Sequence, residues 1–273
     1  MQQAIIVDQV REFRTLQRRV GTRRLQQMLM PVMEQHGIKM GRDKLFDLLA
    51  AHQLLVRRRK RRKVVTTDSN HPFRRYPNLV AGMVVKVANQ VWVSDITYLS
   101  LAGGRFCYLS LVTDVYSRKI VGYHLHPGLQ KEGPLAALQM ALEQRKTSVF
   151  FKTIHHSDRG IQYCCHAYTV KLLQNQIAIS MTQQGDPAEN AIAERVNGIL
   201  KGELGLGETF FSFKQAQQVV KQAVDIYNRL RLHSSCDYLT PNQAYGRAVG
   251  ILRQRWKSNK KHVNCKQDEA INL

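Results

Sequence analysis

The order of strands and helices after residue 85 constrains the fold more than any other feature of this 273-residue sequence. Residues 91–101, VWVSDITYLSL, are rich in β-branched and aromatic residues, which predicts a strand. A similar run, 105–126, follows an Ala-Gly-Gly hairpin signal and divides into two strands around residues 114–119. Three successive antiparallel strands, followed by alternating helices and strands, predict an α/β fold with a mixed five-stranded sheet flanked by helices.

The N-terminal part of the chain differs, because residues 1–56 contain three short helical patterns. These patterns are typical of a small all-α, helix-turn-helix-like domain, although three packed helices also occur in proteins that do not bind DNA. We therefore expect a helical domain over 1–56, a basic linker over 57–84, the α/β domain over 85–250 and a basic C-terminal tail over 251–273.

The second helical pattern, residues 21–37, contains two residues that affect helices strongly. Pro31 lies inside it and should kink or shorten the helix, because proline lacks the backbone N–H of a regular turn. Gly37 stands where the helix should end, as a C-cap.

Net charge indicates the class of partner. The chain has 41 Lys or Arg residues against 20 Asp or Glu, a formal charge of +21, and residues 1–65 hold 16 of the basic residues but only 5 acidic ones. Such a surface favours a polyanion, most commonly nucleic acid. A membrane surface is the rival, but we find neither an apolar run of transmembrane length nor a signal-peptide pattern. Five irregularly spaced cysteines predict free thiols and a reducing, cytoplasmic environment.

The densest basic stretch, RRRKRRK, marks the start of the linker. A like-charge run of this kind is usually a solvated connector, and beside a DNA-binding domain it is about as often an arm that contacts phosphates. Both interpretations apply to its seven residues: Arg57, Arg58, Arg59, Lys60, Arg61, Arg62 and Lys63.

Three acidic residues are placed where they could meet. Asp95 interrupts the first predicted strand, and Asp158 ends a later one, at the edge where α/β sheets bind ligands. Glu194 lies on a helix whose start is predicted by Asp186 as N-cap and Pro187 as first residue. Each acid has an ordinary structural explanation when taken singly. Together they form a set of converging oxygen ligands for hard divalent cations.

The helix that carries Glu194 has two distinct faces. Glu194 shares one with polar residues four before, three after and seven after it: Asn190, Asn197 and Lys201. Another face holds apolar residues that can bury against the sheet: Ile192, Val196 and Ile199. A polar stripe of this kind can also simply be solvated.

Sequence motifs around these acids resemble a known family. Asp95 and Asp158 are separated by 62 residues, and Asp158 and Glu194 by 35. This spacing resembles the DDE triad of retroviral-integrase-like transposases, whose core is similar to ribonuclease H. The words WVSDITYL, HHSDRGIQY, GDPAENAIAERVNGILKGE and YNRLRLHSSCDYLTPNQAYG resemble the motifs of IS3-family insertion-sequence transposases, specifically the second reading-frame product.

The resemblance implies a DNA transposase whose integrase-like catalytic core lies within residues 85–250. Asp95, Asp158 and Glu194 would hold two Mg²⁺ ions, or Mn²⁺ in their place, for 3′-end cleavage and strand transfer. Lys201 would contact a phosphate near the scissile bond, and Asn190 would orient Glu194 or touch a terminal base. Further residues would shape the site: His156, Gly160 and Gln162.

The same resemblance implies partners and a location. The partners would be double-stranded DNA at the element ends and the target, further copies of the chain, and an upstream reading-frame protein, separate or fused by frameshifting. The location would be the bacterial cytoplasm, at the nucleoid. Two alternatives are a catalytically inactive DNA-binding derivative and an RNase H-like nuclease. The first should have lost a triad acid or Lys201, and the second would not need the C-terminal motif.

Overall fold

The computed structural model describes residues 2–56, 72–145, 152–183 and 190–247. The basic run at 57–63 and the tail at 251–273 lie outside these ranges. Within them, no helix combines the length and apolar character needed to cross a membrane. The four cysteines they contain form no disulfide, as predicted: Cys107, Cys164, Cys165 and Cys236.

Three helices form the N-terminal part: α1 (Gln2–Leu16), α2 (Thr22–Gln35) and α3 (Arg42–Ala51). The prediction of three short helices is confirmed. They enclose a small apolar core of their own, whose fully buried residues are Ile6, Val10, Leu25, Leu29, Leu45 and Leu49. A core that draws on all three helices fixes their packing without help from the sheet.

Helix α2 continues through Pro31 to Gln35, so the expectation that proline would shorten it is wrong. Leu29 and Met33, on either side of the proline, are buried in the helical core, and this packing offsets the missing hydrogen bond. Gly37 follows the end of the helix as predicted, with φ +61°, and Ile38 N donates to Met33 O at 2.8 Å. Glycine takes this left-handed conformation without steric cost.

The sheet contains the five predicted strands and a sixth. They are β1 (Val91–Leu101), β2 (Phe106–Asp114), β3 (Ile120–His126), β4 (Ile154–Ser157), β5 (Ala178–Met181) and β6 (Thr209–Phe210). The order is β3-β2-β1-β4-β5, with β6 paired to the far end of β1. Strands β1, β2 and β3 are antiparallel, whereas β4, β5 and β6 pair in parallel fashion. The sixth strand escaped prediction because two residues are too few to show a period.

The hairpin between β1 and β2 depends on its glycines. Gly103 and Gly104 have φ angles of +75° and +71°, and the turn pairs Ser100 with Phe106. Side chains with a Cβ are strained at such angles, which explains the Ala-Gly-Gly signal.

Helices cover both faces of the sheet. Helices α4 (Glu132–Gln144) and α6 (His166–Gln174) pack against one face, and the single helical turn α5 (Ile161–Cys164) precedes α6. Against the other pack α7 (Ala191–Glu203) and α8 (Phe213–Arg229), and α9 (Pro241–Tyr245) follows. In β1, Trp92 belongs to the first core and Leu99 to the second, because successive side chains of a strand point to opposite faces.

The helical part contacts the sheet domain through partly buried charges. Arg24 of α2 and Arg231 both donate to Glu203 at the end of α7, at 2.7 and 2.9 Å. Burial acts to raise the pKa of Glu203, but Arg231 and Arg24 lower it below its usual range overall. Gln17 also donates to the carbonyl of Leu230 at 3.3 Å. The N-terminal helices therefore rest against the end of the helix that carries Glu194.

Candidate active site

Two of the three predicted acids meet in one cleft. Strands β1 and β4 are parallel, with Val91 opposite Ile154 and Val93 opposite His156. The same offset, continued two residues past the last pair and just beyond the end of β4, brings Asp158 next to Asp95. The cleft is lined by Asp95, Ile96, Leu129, Asp158, Gly160, Gln162 and Tyr163.

Asp95 is held by two hydrogen bonds. Its Oδ1 accepts from the backbone N–H of Ile96 at 2.9 Å, and its Oδ2 accepts from Asn197 Nδ2 at 2.7 Å. Burial, and then the charge of Asp158, nevertheless raise the pKa of Asp95 to about 7, and Glu194 adds to the rise. Removing a charge from water therefore costs more than these two hydrogen bonds return.

Asp158 follows the last residue of β4, at the strand end where it was expected. Its Oδ1 accepts from Gly160 N at 3.0 Å, and Gln162 Nε2 donates to Leu129 O at 3.0 Å across the cleft. A Cβ on Gly160 would lie 3.1 Å from Asp158 Oδ1. Gly160 and Gln162 thus line the cleft, and glycine lets the loop close tightly around the acid.

Glu194 lies in the first turn of α7, exposed to solvent. The helix begins at Ala191 with Asn190 as its N-cap residue, whereas the predicted start at Asp186 and Pro187 falls outside the described residues. Val196 and Ile199 are buried in the core beneath the sheet as predicted, whereas Ile192 of the same predicted face is only half-buried and lies outside that core. Glu194 does not line the cleft, although its charge acts on Asp95.

Metal-binding capacity follows from this arrangement. In the part of the chain that the structure describes, no three His, Cys, Asp or Glu side chains are grouped to hold a metal ion. Asp95 and Asp158 supply carboxylate oxygens, which hard divalent cations prefer, and their mutual repulsion is what such a cation would relieve. The two aspartates therefore fit a divalent cation, whereas Glu194 is not among the residues that line the cleft.

Both asparagines of the α7 polar face contact β1. Asn197 binds the Asp95 carboxylate, and Asn190 Nδ2 donates to the carbonyl of Ser94 at 3.1 Å. Both side chains are buried. Sequence reasoning placed Asn197 on the Glu194 face but did not give it a role, because a helical spacing does not show which strand lies opposite.

Lys201 is less exposed than its place on a polar helix face predicted. Its Nζ lies 4.1 Å from the ring centroid of Tyr98, a cation–π contact. Burial lowers the pKa of Lys201, while the charge of Asp95 acts to raise it. The ammonium group of Lys201 is therefore close enough to the acid cleft to interact with the charge of Asp95.

The two histidines before Asp158 are structural in their contacts. His156 is fully buried, bonds Ser180 Oγ through Nδ1 at 2.8 Å and is not among the residues that line the cleft. His155 lies 2.7 Å from Ser94 Oγ, and burial lowers its pKa to about 3, which keeps the ring neutral. Tyr163, which the sequence did not single out, lines the cleft instead, and burial raises its pKa well above the usual value.

Comparison with known families gives the same answer as the motifs. Residues 86–187 match one integrase core domain family, and residues 175–241 match a second family of the same description. The insertion element IS600 uncharacterized 31 kDa protein of Shigella sonnei is 37% identical over 223 residues, which are 81% of this chain and 79% of that protein. Transposase InsF for insertion sequence IS3A of Escherichia coli K12 is 38% identical over 156 residues. That alignment spans 57% of this chain and about half (53%) of InsF.

One solved structure shows the same fold. A simian T-cell lymphotropic virus intasome, in complex with the PP2A regulatory subunit B56 gamma, matches over 84% of this chain and 72% of the matched chain, with a TM-score of 0.51 and 16% identity. The HTLV-2 integrase catalytic core domain covers 58% of this chain at a TM-score of 0.46. The predicted fold class, an RNase H-like α/β core preceded by helices, is confirmed.

Proposed function

Because this chain belongs to the IS3 family of insertion-sequence transposases and carries the integrase core domain, we propose that it catalyses metal-dependent 3′-end cleavage and strand transfer of an insertion sequence. Asp95, Asp158 and Glu194 are the catalytic acids of this proposal. An inactive DNA-binding derivative is disfavoured, since all three acids and Lys201 are present.

The observation that carries the proposal is the pair of aspartates in one cleft. Parallel pairing of β1 and β4 aligns Asp95 with Asp158, and their repulsion helps raise the pKa of Asp95 to about 7. A purely structural acid, such as the fully buried Asp114, is surrounded by donors: Asn89 N at 2.7 Å and Ser117 N at 2.8 Å. Asp95 instead faces a second carboxylate, an arrangement typical of a cation site.

The cofactor of this proposal is Mg²⁺, two ions per site, with Mn²⁺ as a substitute. Asp95, Asp158 and Glu194 would hold them. When bound between carboxylates, such ions activate an attacking oxygen and stabilise the leaving oxygen of a phosphodiester. Asn197 would keep the Asp95 carboxylate oriented, and Lys201, whose charge acts on Asp95, would meet a DNA phosphate.

Contacts with DNA extend the proposal beyond the cleft. We assign phosphate binding to the run at 57–63, between a helical DNA-binding domain at 1–56 and the catalytic core at 85–250. Asn190 donates its Nδ2 to Ser94 O and is buried, so its part in this proposal is to hold the start of α7 and so orient Glu194, and we assign it no contact with a terminal base. The working complex would pair two element ends through a homo-oligomer, with the upstream reading-frame protein separate or fused, at the bacterial nucleoid.

The test is Mg²⁺- or Mn²⁺-dependent cleavage and joining on a branched DNA that resembles a strand-transfer product, assayed with the upstream protein present. Asp158→Asn and Glu194→Gln should abolish both reactions and leave DNA affinity within about twofold, because they remove carboxylate charge and no phosphate contact. Glu132→Gln is the matched control, since Glu132 is an exposed glutamate in the first turn of α4. Metal-independent activity, or full activity of Glu194→Gln, would contradict the proposal.

A further inference from the structure

Two asparagines, one at the N-cap of α7 and one within it, donate hydrogen bonds to neighbouring residues of β1. Asn190 Nδ2 donates to Ser94 O at 3.1 Å, and Asn197 Nδ2 donates to Asp95 Oδ2 at 2.7 Å. Their side chains are 7% and 6% exposed. The second bond has a charge-assisted acceptor and is short, as such bonds are.

Glu194 lies between these two asparagines in the sequence and is itself exposed to solvent. Asn190 is the N-cap residue of α7, and residues 194 and 197 are neighbours on the helix surface because they are three positions apart. The two amides therefore fasten the helix face that carries Glu194 to the strand that carries Asp95. Apolar packing of Val196 and Ile199 also holds α7, but hydrophobic contacts are non-directional and allow a helix to slide or rotate. Hydrogen bonds are directional and fix the register.

Each of these buried amides leaves one of its polar atoms without a hydrogen bond, which lowers its contribution to stability. Among the described residues, neither Asn190 Oδ1 nor Asn197 Oδ1 has a hydrogen-bond partner, although both are shielded from solvent. A buried acceptor without a partner costs folding free energy. An apolar side chain of similar shape would be expected to fill the same space at lower cost. The benefit of the two amides must therefore lie in their N–H groups, which hold the Ser94 carbonyl and the Asp95 carboxylate in place.

We propose that Asn197 is a positioning residue that orients the Asp95 carboxylate for divalent cations and, with Asn190, sets the distance from Asp95 to Glu194. This inference rests on the proposed role of the two acids. With one lone pair of Oδ2 occupied by Asn197 and one of Oδ1 by Ile96 N, the carboxylate is held in one rotamer, and its remaining lone pairs are available to a cation. Loss of such partners around metal ligands typically weakens metal binding by about 10- to 100-fold.

A matched control exists in the same core. Asn228 of α8 fastens β3 in the same manner, since its side chain donates to Ile120 O and accepts from Ile120 N, both at 3.0 Å. It is not among the residues of the acid cleft. Asn228→Leu removes two helix-to-strand bonds and touches no acid, whereas Asn197→Leu removes one bond to Asp95.

The experiment measures Mn²⁺ binding by electron paramagnetic resonance, with the full chain on branched DNA and the upstream protein present, together with the Mg²⁺ concentration that gives half-maximal joining. We expect Asn197→Leu to raise both the Mn²⁺ dissociation constant and the half-maximal Mg²⁺ concentration by about tenfold. Asn228→Leu should change neither by more than about twofold, although it lowers the melting temperature. Asn197→Ala, which keeps the helix, serves if the leucine variant does not fold.

Three results separate the possible failures. Wild-type Mn²⁺ affinity in both Asn197 variants would overturn the inference while leaving the proposed function intact. An equal shift in Asn228→Leu would also overturn it, because the effect would then be general loosening of the core. If the wild type binds Mn²⁺ and Asp95→Asn abolishes that binding, but the wild type joins no DNA, the proposed function alone would be overturned.

Discussion

The acid in the middle of β1 should destabilise the metal-free protein, and its removal should therefore stabilise the fold. The perturbation is Asp95→Asn, which keeps the shape of the side chain and removes its charge. Below about pH 4 the carboxyl is protonated in both the folded and the unfolded chain. Between pH 4 and 7 the unfolded chain ionises while the folded chain stays protonated, because burial and Asp158 raise the pKa of Asp95 from 3.8 to about 7. Stability contributed by this group thus falls as pH rises, and levels off above pH 7.

The magnitude follows from the shift. A rise of about three pKa units corresponds to about 4 kcal/mol at pH 8, since each unit is about 1.4 kcal/mol. Asparagine at position 95 can accept a hydrogen bond at only one side-chain atom, so it keeps the bond from Asn197 or from Ile96 N and loses the other, at a cost of about 1 kcal/mol. We expect Asp95→Asn to be more stable than the wild type by about 2–3 kcal/mol at pH 8 in EDTA.

The assay is urea denaturation at pH 4 and pH 8, followed by the fluorescence of Trp92, which is fully buried beside β4. Every other titrating group is common to both proteins, so the difference between their free energies of unfolding isolates Asp95. At pH 4 the variant should lose its advantage. Asp225→Asn, an exposed change on α8, should stay within about 0.5 kcal/mol of the wild type at both pH values. A variant that is less stable than the wild type at pH 8, or an advantage independent of pH, would refute the reasoning.

Three further predictions concern packing, backbone entropy and charge. Gly122→Ala should lower the free energy of unfolding by about 3 kcal/mol, because the new Cβ would lie 2.0 Å from Ala137 O and 3.0 Å from Ala141 Cβ of α4. Gly202→Ala, where a Cβ meets nothing within 4 Å on α7, should instead raise it by about 0.5–1 kcal/mol in the same urea titration. Replacement of the seven basic residues at 57–63 by serine should flatten the plot of log affinity against log salt concentration by up to about 6 in slope, measured by fluorescence anisotropy on duplex DNA. An unchanged slope would show that the run is only a linker.

The destabilisation by Asp95 also predicts how folding and cation binding are linked. A cation that binds the folded acids and not the unfolded chain stabilises the protein by mass action. The Asp95 carboxylate therefore destabilises the metal-free protein but stabilises the cation-bound protein. The amide of Asn197 serves both states, because it offsets part of the charge without closing the cleft.

Local patterns in the sequence were sufficient for most elements of the fold. Richness in β-branched and aromatic residues identified β1, and the glycines of its hairpin indicated a turn whose backbone conformation favours glycine. Helical spacing identified the buried face of α7 through Val196 and Ile199. These signals are local, since a strand or helix period repeats within a few residues. The same locality explains two errors: β6 is too short to show a period, and Pro31 was judged without the core that holds α2 together.

The sequence by itself determined which acids to consider and the family that their spacing resembles. Only the tertiary structure decided how they meet. Asp95 and Asp158 are 62 residues apart in the chain, and they align because β1 and β4 pair in one parallel register. That register depends on burial of both sheet faces under helices distant in sequence, which no local pattern encodes. For the same reason, the bond from Asn197 to Asp95 could not be read from the helix alone, because it depends on which strand α7 packs against.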